Sequence, residues 1–208
     1  MYVLHFVQII SLAKSRKGRF LINIPLIFFT IFFAFLSTGL SLADTRSLIK
    51  GQYLPNLPFT DSLPKDERTY LGLTAGKKLS LKDIRCSVII IEVFNTYCTS
   101  CPRNIPVINE VFSRTENDPK FKGKIKIIGI AAGNTREEII AYKKTHGVSY
   151  PIFSDLNFTL HKALGNPRVP YTMIIKRNRQ GKNKIIYTHQ GIIDSPEPLL
   201  EIVGKHLN

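Results

Sequence analysis

The sequence predicts an α/β fold in which a central mixed β-sheet is flanked by helices, and three observations support it. The apolar, β-branched run Val88–Phe94 has the composition of a strand buried on both faces. A CxxC pair, Cys98 and Cys101, follows at once, and apolar residues then recur at helical spacing. Further strand and helix patterns alternate along the rest of the chain, which is typical of this fold class.

Turn and capping residues delimit the other elements, as the Thr135–Glu138 capping box does for one helix. The predicted elements are a β-hairpin over 70–81, strands over 88–94 and 125–131, a helix from 135 to about 147, an extended piece at 151–153, a short helix over 158–164, paired strands over 169–175 and 184–189, and a closing helix over 195–207.

The N-terminal part of the chain predicts export of the domain. A basic cluster at 15–19 precedes 24 uncharged residues, 20–43, which end in small residues typical of a signal peptidase site. The same run is long enough to span a bilayer, so residues 1–43 are predicted to be a signal peptide or a membrane anchor. Residues 44–69 are predicted to be a linker and 70–208 the folded domain. The predicted location is the periplasm or the outer face of the cytoplasmic membrane.

Composition excludes several other classes of protein. The formal net charge is +14, but the basic residues are dispersed and form no stripe with aromatic residues, so nucleic-acid binding is not predicted. Three cysteines are too few for a disulfide scaffold. A zinc site would need two more ligands, whereas Cys86 is the only other thiol and no histidine lies between residues 6 and 145. No metal and no cofactor are predicted.

The order of motifs resembles the thioredoxin fold, and most closely the exported TlpA-type disulfide reductases, which include those of cytochrome c maturation. The resemblance covers roughly residues 55–207, and its lead-in is also similar to AhpC/TSA-type peroxiredoxins. Four features carry it: the lead-in over 78–83, the strand–CxxC–helix order with Pro106 after the pair, Glu92 six residues before Cys98, and Val169–Pro170, which matches the family's cis-proline loop.

Candidate roles follow from these positions. Cys98 precedes the helix, whose positive end favours a thiolate, so it is the predicted nucleophile, and Cys101 is the predicted resolving thiol. Glu92 is predicted to be a buried proton acceptor, although pairing with Lys126 is the alternative. The resemblance implies that Pro170 is cis and that Val169 presents its backbone to substrate. Tyr97 replaces the family's usual tryptophan as an aromatic wall for substrate.

The predicted function is an exported thiol–disulfide oxidoreductase that reduces protein substrates and receives electrons from a membrane donor, at the inner membrane if the anchor is retained. One alternative is a peroxiredoxin-like peroxidase, but that family's threonine and proline positions hold Asn95 and Ile91 here. The other is a copper carrier, which in this fold uses CxxxC rather than CxxC. Asn104 stands where some cytochrome-maturation reductases have a glutamate, which weakens that narrower assignment.

Overall fold

A six-stranded mixed sheet forms the centre of the protein. The computed structural model describes residues 48–60, 62–74 and 79–207. The sheet order is β1-β8-β7-β4-β5-β6, in which β4, β5 and β6 are parallel and β7 is antiparallel to β4. The strands are β1 Tyr53–Leu54, β2 Pro58–Phe59, β3 Leu79–Ser80, β4 Val88–Phe94, β5 Ile125–Ala132, β6 Ile152–Asp155, β7 Tyr171–Arg177 and β8 Asn183–Gln190.

Five helices accompany these strands in the described ranges. They are α1 Lys65–Leu71, α2 Ile105–Asn117, α3 Arg136–His146, α4 Thr159–Ala163 and α5 Glu197–Lys205. The predicted capping box begins α3, since Thr135 Oγ1 accepts from Glu138 N and the Glu138 carboxylate accepts from Thr135 N. Gly147, with φ of 64°, ends that helix in the left-handed conformation that glycine favours. The predicted fold of a mixed sheet with flanking helices is confirmed.

Apolar side chains of β4 alternate between two cores, one on each face of the sheet. All seven residues of this strand are buried, because the strand lies inside the sheet with helices on both sides. Val88, Ile90 and Phe94 face the core that includes residues of α2, α3 and α5, and the intervening residues face the core that includes α4. Strict alternation places Glu92 on the same face as Phe94, towards α2.

The N-terminal part of the domain differs from the prediction. The segment predicted to be a linker supplies β1, β2 and α1, and its side chains Leu54, Leu57, Phe59 and Leu63 are buried. Burial of this apolar surface makes the segment part of the fold, so the predicted domain start at residue 70 is wrong. Residues 1–47, including the predicted signal peptide or anchor at 1–43, lie outside the described residues.

The predicted β-hairpin over 70–81 is also wrong. Its first two residues, Tyr70 and Leu71, belong to α1, which carries Asp66 and Glu67 in its first turn and is capped by Gly72, with φ of 68°. Leu79 and Ser80, near its other end, form β3, which pairs with β2 to give a two-stranded antiparallel sheet. Helix α1 thus lies between the two paired strands in sequence, and the turn predicted at 75–77 lies outside the described residues.

Candidate active site

The CxxC pair lies directly after the C-terminal end of β4 and forms a disulfide. The Cα atoms of Cys98 and Cys101 are 5.5 Å apart. Cys98 is partly exposed, whereas Cys101 is buried with 2% of its surface exposed. A 3₁₀ turn, Cys101–Asn104, begins at the second cysteine and continues into α2. Cys101 N donates to Cys98 Sγ at 3.2 Å, so a main-chain donor at the start of this turn already faces the first sulfur.

Glu92 is a buried carboxylate in the middle of the sheet, with 3% of its surface exposed. Thr172 Oγ1 donates to its Oε2, and Asn104 Nδ2 donates to its Oε1 at 2.9 Å. Burial raises the pKa of Glu92 to about 7, because these two neutral donors only partly replace the lost water. The carboxyl group therefore changes charge close to neutral pH.

The alternative in which Glu92 pairs with Lys126 is wrong. Lys126 Nζ lies 3.3 Å from Glu116 Oε1 and 3.9 Å from the centre of the Tyr70 ring. Lys126 is opposite Ile89 on the neighbouring strand, so its side chain leaves the sheet three residues away from Glu92. Among the residues that the structure describes, no cation forms an ion pair with Glu92.

Asn104 connects the buried acid to the loop between β8 and α5. Only 1% of its surface is exposed. Its Nδ2 donates to Glu92 and also to Gly191 O at 3.3 Å, and its Oδ1 accepts from Ile193 N at 2.9 Å. Asn104 lies three residues after Cys101, so one side chain fixes the acid, the loop and the first turn after the redox pair relative to one another.

The three residues before Cys98 are held by the end of β5, the loop that follows it and the first turn of α3. Asn95 Nδ2 donates to Ala132 O at 2.6 Å, and Thr96 N donates to Asn134 Oδ1 at 2.9 Å. Tyr97 donates its hydroxyl hydrogen to Glu138 Oε1, while 72% of the Tyr97 surface stays exposed. The hydrogen bond to this carboxylate raises the pKa of Tyr97 and lowers that of Glu138. The aromatic side chain beside Cys98 is thus both exposed and fixed.

An open groove of about 630 Å³ runs beside the first cysteine. Its lining includes Cys98, Tyr97 and Val169. The Val169–Pro170 peptide bond is cis, and Tyr171 then begins β7 opposite Val93 of β4. The pairing of β7 with β4 therefore brings the predicted substrate-binding residues Tyr97 and Val169 to one groove, although they are far apart in sequence.

Cys86 differs from the redox pair in its position relative to β4 and in its surroundings. It is a free, partly buried thiol that precedes β4, whereas the redox pair follows that strand. Burial raises the pKa of Cys86 to about 12, which keeps it protonated and poorly nucleophilic at neutral pH. In the described part of the chain, no group of three or more histidine, cysteine or acidic side chains is arranged to hold a metal ion.

The fold and the redox pair define a thioredoxin-like protein with a dithiol–disulfide couple. The sequence model of the AhpC/TSA family matches residues 61–186, and the chain belongs to this family. Residues 78–83 resemble the lead-in of this same family. The match also covers the central strand and the CxxC pair.

Curated relatives carry the description thiol-disulfide oxidoreductase ResA. The protein of Bacillus thuringiensis strain Al Hakam is 24% identical over 145 residues, which are 69% of this chain and 73% of the relative. The protein of Bacillus subtilis strain 168 is 23% identical over 168 residues, 80% of this chain and 79% of the relative.

Solved structures show the same fold. A protein from Chlorobium tepidum, described as thiol:disulfide interchange protein DsbE, superposes with a TM-score of 0.58 at 17% identity and covers 78% of this chain and all of its own. One from Bacteroides thetaiotaomicron, described as a protein disulfide isomerase, gives the same TM-score at 21% identity, covering 78% of this chain and 94% of its own.

Several residues around the site have no signal in the local sequence. Thr172 reaches Glu92 because the two residues are directly opposite in the β4–β7 pair, and that register is a long-range property. Phe158 and Arg168 line the groove from loops more than fifty residues beyond Cys98. Glu138 is recognisable as a capping residue, but its contact with Tyr97 depends on how α3 packs beside the redox loop.

Proposed function

We propose that this thiol–disulfide oxidoreductase reduces disulfide bonds in protein substrates. The observation that carries the proposal is the asymmetry of the redox pair: Cys98 faces an open groove and accepts a main-chain hydrogen bond, whereas Cys101 is buried behind it. Such a pair suits one accessible nucleophile and one protected resolving thiol. The descriptions of the ResA relatives agree with this class of reaction.

The exchange proceeds in two balanced steps. The Cys98 thiolate attacks one sulfur of a substrate disulfide, so a mixed disulfide forms and the second substrate sulfur leaves as a thiolate that takes up a proton. Cys101, once deprotonated, then attacks Cys98 Sγ, and the first substrate sulfur leaves in the same way. Two electrons have passed from the protein dithiol to the substrate, and the protein is left with the Cys98–Cys101 disulfide that the structure contains.

Glu92 is the proposed proton acceptor for Cys101 in the second step. A buried thiol attacks slowly until it loses its proton, and a carboxylate with a pKa of about 7 is matched to that transfer at neutral pH. The contact between Glu92 and Asn104, one turn beyond Cys101, supports this role, because it orients the carboxylate relative to the start of the 3₁₀ turn. Val169 and Pro170 are the proposed backbone contact for the bound substrate segment.

For repeated turnover, the protein needs an electron donor in the same cellular compartment. The proposed source is a membrane protein that reduces the Cys98–Cys101 disulfide by dithiol exchange, and the proposed location is the periplasm or the outer face of the cytoplasmic membrane. The basic cluster at 15–19 and the uncharged run at 20–43 support export. No helix in the described ranges is both long and apolar enough to cross a membrane.

Peroxide reduction is the second candidate, because the chain belongs to the AhpC/TSA family. The residues around Cys98 argue against it, since Asn95 and Ile91 stand at the positions where peroxiredoxins carry a threonine and a proline. Copper carriage is a weaker alternative, because the resemblance associates it with a different cysteine spacing.

Two rate measurements separate disulfide reduction from peroxide reduction. Full-length protein in mild detergent, supplied with dithiothreitol, is expected to reduce a disulfide-bonded test protein at least about tenfold faster than dithiothreitol alone. Each turnover should release two substrate thiols. Hydrogen peroxide should be consumed at close to the uncatalysed rate. Fast peroxide consumption that depends on Cys98, without disulfide reduction, would instead establish the peroxidase.

A further inference from the structure

The groove beside Cys98 is lined by aromatic, apolar and positively charged side chains. Besides the redox cysteine, its lining includes Tyr97, Phe158, Arg168 and Val169. Three loops contribute these residues: the one before the redox pair, the one after β6 and the one before β7. Because Cys101 is buried and Cys98 lines the groove, a substrate segment that reaches the disulfide lies along this surface.

Two exposed aromatic side chains are held in fixed positions in the groove. Phe158 is 42% exposed and has a left-handed backbone with φ of 56°, which is uncommon for a residue with a side chain. Its ring lies against Gly133, where an added Cβ would come within 2.4 Å of Phe158 Cζ. Tyr97 is fixed by its hydrogen bond to Glu138. Preorganised and exposed apolar surface of this kind is typical of a binding site rather than of a solvated loop.

The groove also carries a positive charge, that of Arg168. Arg168 is exposed, and no carboxylate lies within ion-pair distance of it in the described part of the chain. Two acids that contact residues of the groove lining are engaged by those contacts: Asp155 accepts from Leu160 N and His161 N, and Glu138 accepts from Tyr97. A ligand with a carboxylate would therefore meet Arg168 without competition from the protein's own acids.

We propose that this groove selects protein substrates whose reacting cysteine is flanked by an aromatic or long aliphatic side chain and by an acidic side chain. The apolar side chain packs between Tyr97 and Phe158, and the carboxylate pairs with Arg168. The inference rests on the proposed function, since it names the substrate class of the same site. It adds Phe158 and Arg168 as residues that determine specificity without taking part in the thiol exchange.

The test uses four short peptides, each joined through its cysteine in a disulfide to the same small reporter thiol. The flanking positions combine phenylalanine or serine with glutamate or lysine. The measured quantity is kcat/KM for release of the reporter by full-length reduced protein in detergent, with hydroxyethyl disulfide as a reference substrate that has no flanking residues. Ratios between peptides cancel any general loss of activity in a variant.

Wild-type protein is expected to prefer glutamate over lysine about fivefold, as one exposed ion pair allows, and phenylalanine over serine about tenfold. Arg168→Glu should invert the charge preference, and Phe158→Ala should remove most of the aromatic preference. Matched controls are Arg179→Glu, on the turn after β7 at the opposite end of that strand, and Leu156→Ala, an exposed apolar residue outside the groove lining. Both should keep the wild-type ratios.

Two results would overturn the inference in different ways. If wild-type protein reduces all four peptides at equal rates, the groove does not select; if Arg168→Glu keeps the charge preference, Arg168 does not set it. In both cases the inference fails, while reduction of hydroxyethyl disulfide and the peptides leaves the proposed function standing. If wild-type protein reduces none of these disulfides, the proposed function fails and the groove inference fails with it.

Discussion

Replacing Cys98 with serine should lower disulfide reduction by a thousandfold or more, on the order of the loss seen when an enzyme's nucleophile is removed. A serine hydroxyl stays protonated at neutral pH and cannot form the mixed disulfide. Cys101→Ser should behave differently, because Cys98 can still attack. Its first turnover should leave a covalent adduct with substrate that accumulates, since the resolving thiol is missing. Mass spectrometry of the intact protein after mixing with substrate distinguishes the two variants.

Cys86→Ser is the matched control, because Cys86 is the remaining thiol and its pKa is raised by burial to about 12. It should keep wild-type turnover within about twofold. In the reduced wild-type protein, alkylation at mildly acidic pH should label Cys98 before Cys86. Faster labelling of Cys86, or loss of reductase activity in Cys86→Ser, would contradict the assignment of the redox pair.

Replacing Glu92 with glutamine should change stability and turnover in opposite directions. The pKa of Glu92 is about 7 in the folded protein and 4.5 as its ordinary value. When the pH lies between these two pKa values, the unfolded chain has lost the proton and the folded protein retains it. The stability of wild-type protein therefore falls as the pH rises through this range. The loss is about 3 kcal/mol by pH 7 and above, at 1.36 kcal/mol per pH unit. Glutamine does not titrate, so the stability of Glu92→Gln should not fall with pH in this way. Glu92→Gln should therefore be more stable than wild-type protein at pH 8.

The turnover of Glu92→Gln should be slower by roughly a hundredfold, a modest value for loss of general base catalysis. The difference should be largest above pH 7, where Glu92 is ionised, and should shrink at high pH, where the thiols ionise without help. Denaturant melts and pH–rate profiles measure both effects. Glu116→Gln is the control: it removes the acidic partner of the buried Lys126 outside the site, so it should lower stability and leave turnover unchanged. A Glu92→Gln protein that is less stable and fully active would end the proton-acceptor proposal.

Local sequence patterns predicted the parts of the fold that depend on short-range chemistry. The β-branched run of β4 is buried because both of its faces are covered, and the capping box at Thr135 begins α3 where its hydrogen bonds require. The hairpin over 70–81 was wrong because the partner of Leu79–Ser80 is Pro58–Phe59, on the far side of a helix in sequence. Pairing across such a separation leaves no mark on the sequence near either strand.

The candidate site also contains residues that the local sequence identifies and residues that only the fold brings together. Cys98, Cys101 and Glu92 could be selected from their spacing, since all three lie on one strand and the turn that follows it. The residues that decide the environment of Glu92 could not, because Thr172 approaches through strand register and Asn104 through the orientation of the turn. Burial raises the pKa of Glu92 to about 7, and the two neutral donors that surround the acid in place of a lysine only partly offset this rise.

We propose that the Cys98–Cys101 pair works as a reductant in its compartment. The most direct measurement is thiol trapping in intact cells: acid quenching, alkylation with a mass-tagged reagent, and separation of the reduced and disulfide forms of the native protein. We expect a substantial reduced fraction, which should disappear when the membrane electron supply is removed and should be insensitive to Cys86→Ser. A pair that stays fully oxidised in growing cells with that supply intact would contradict a reducing role.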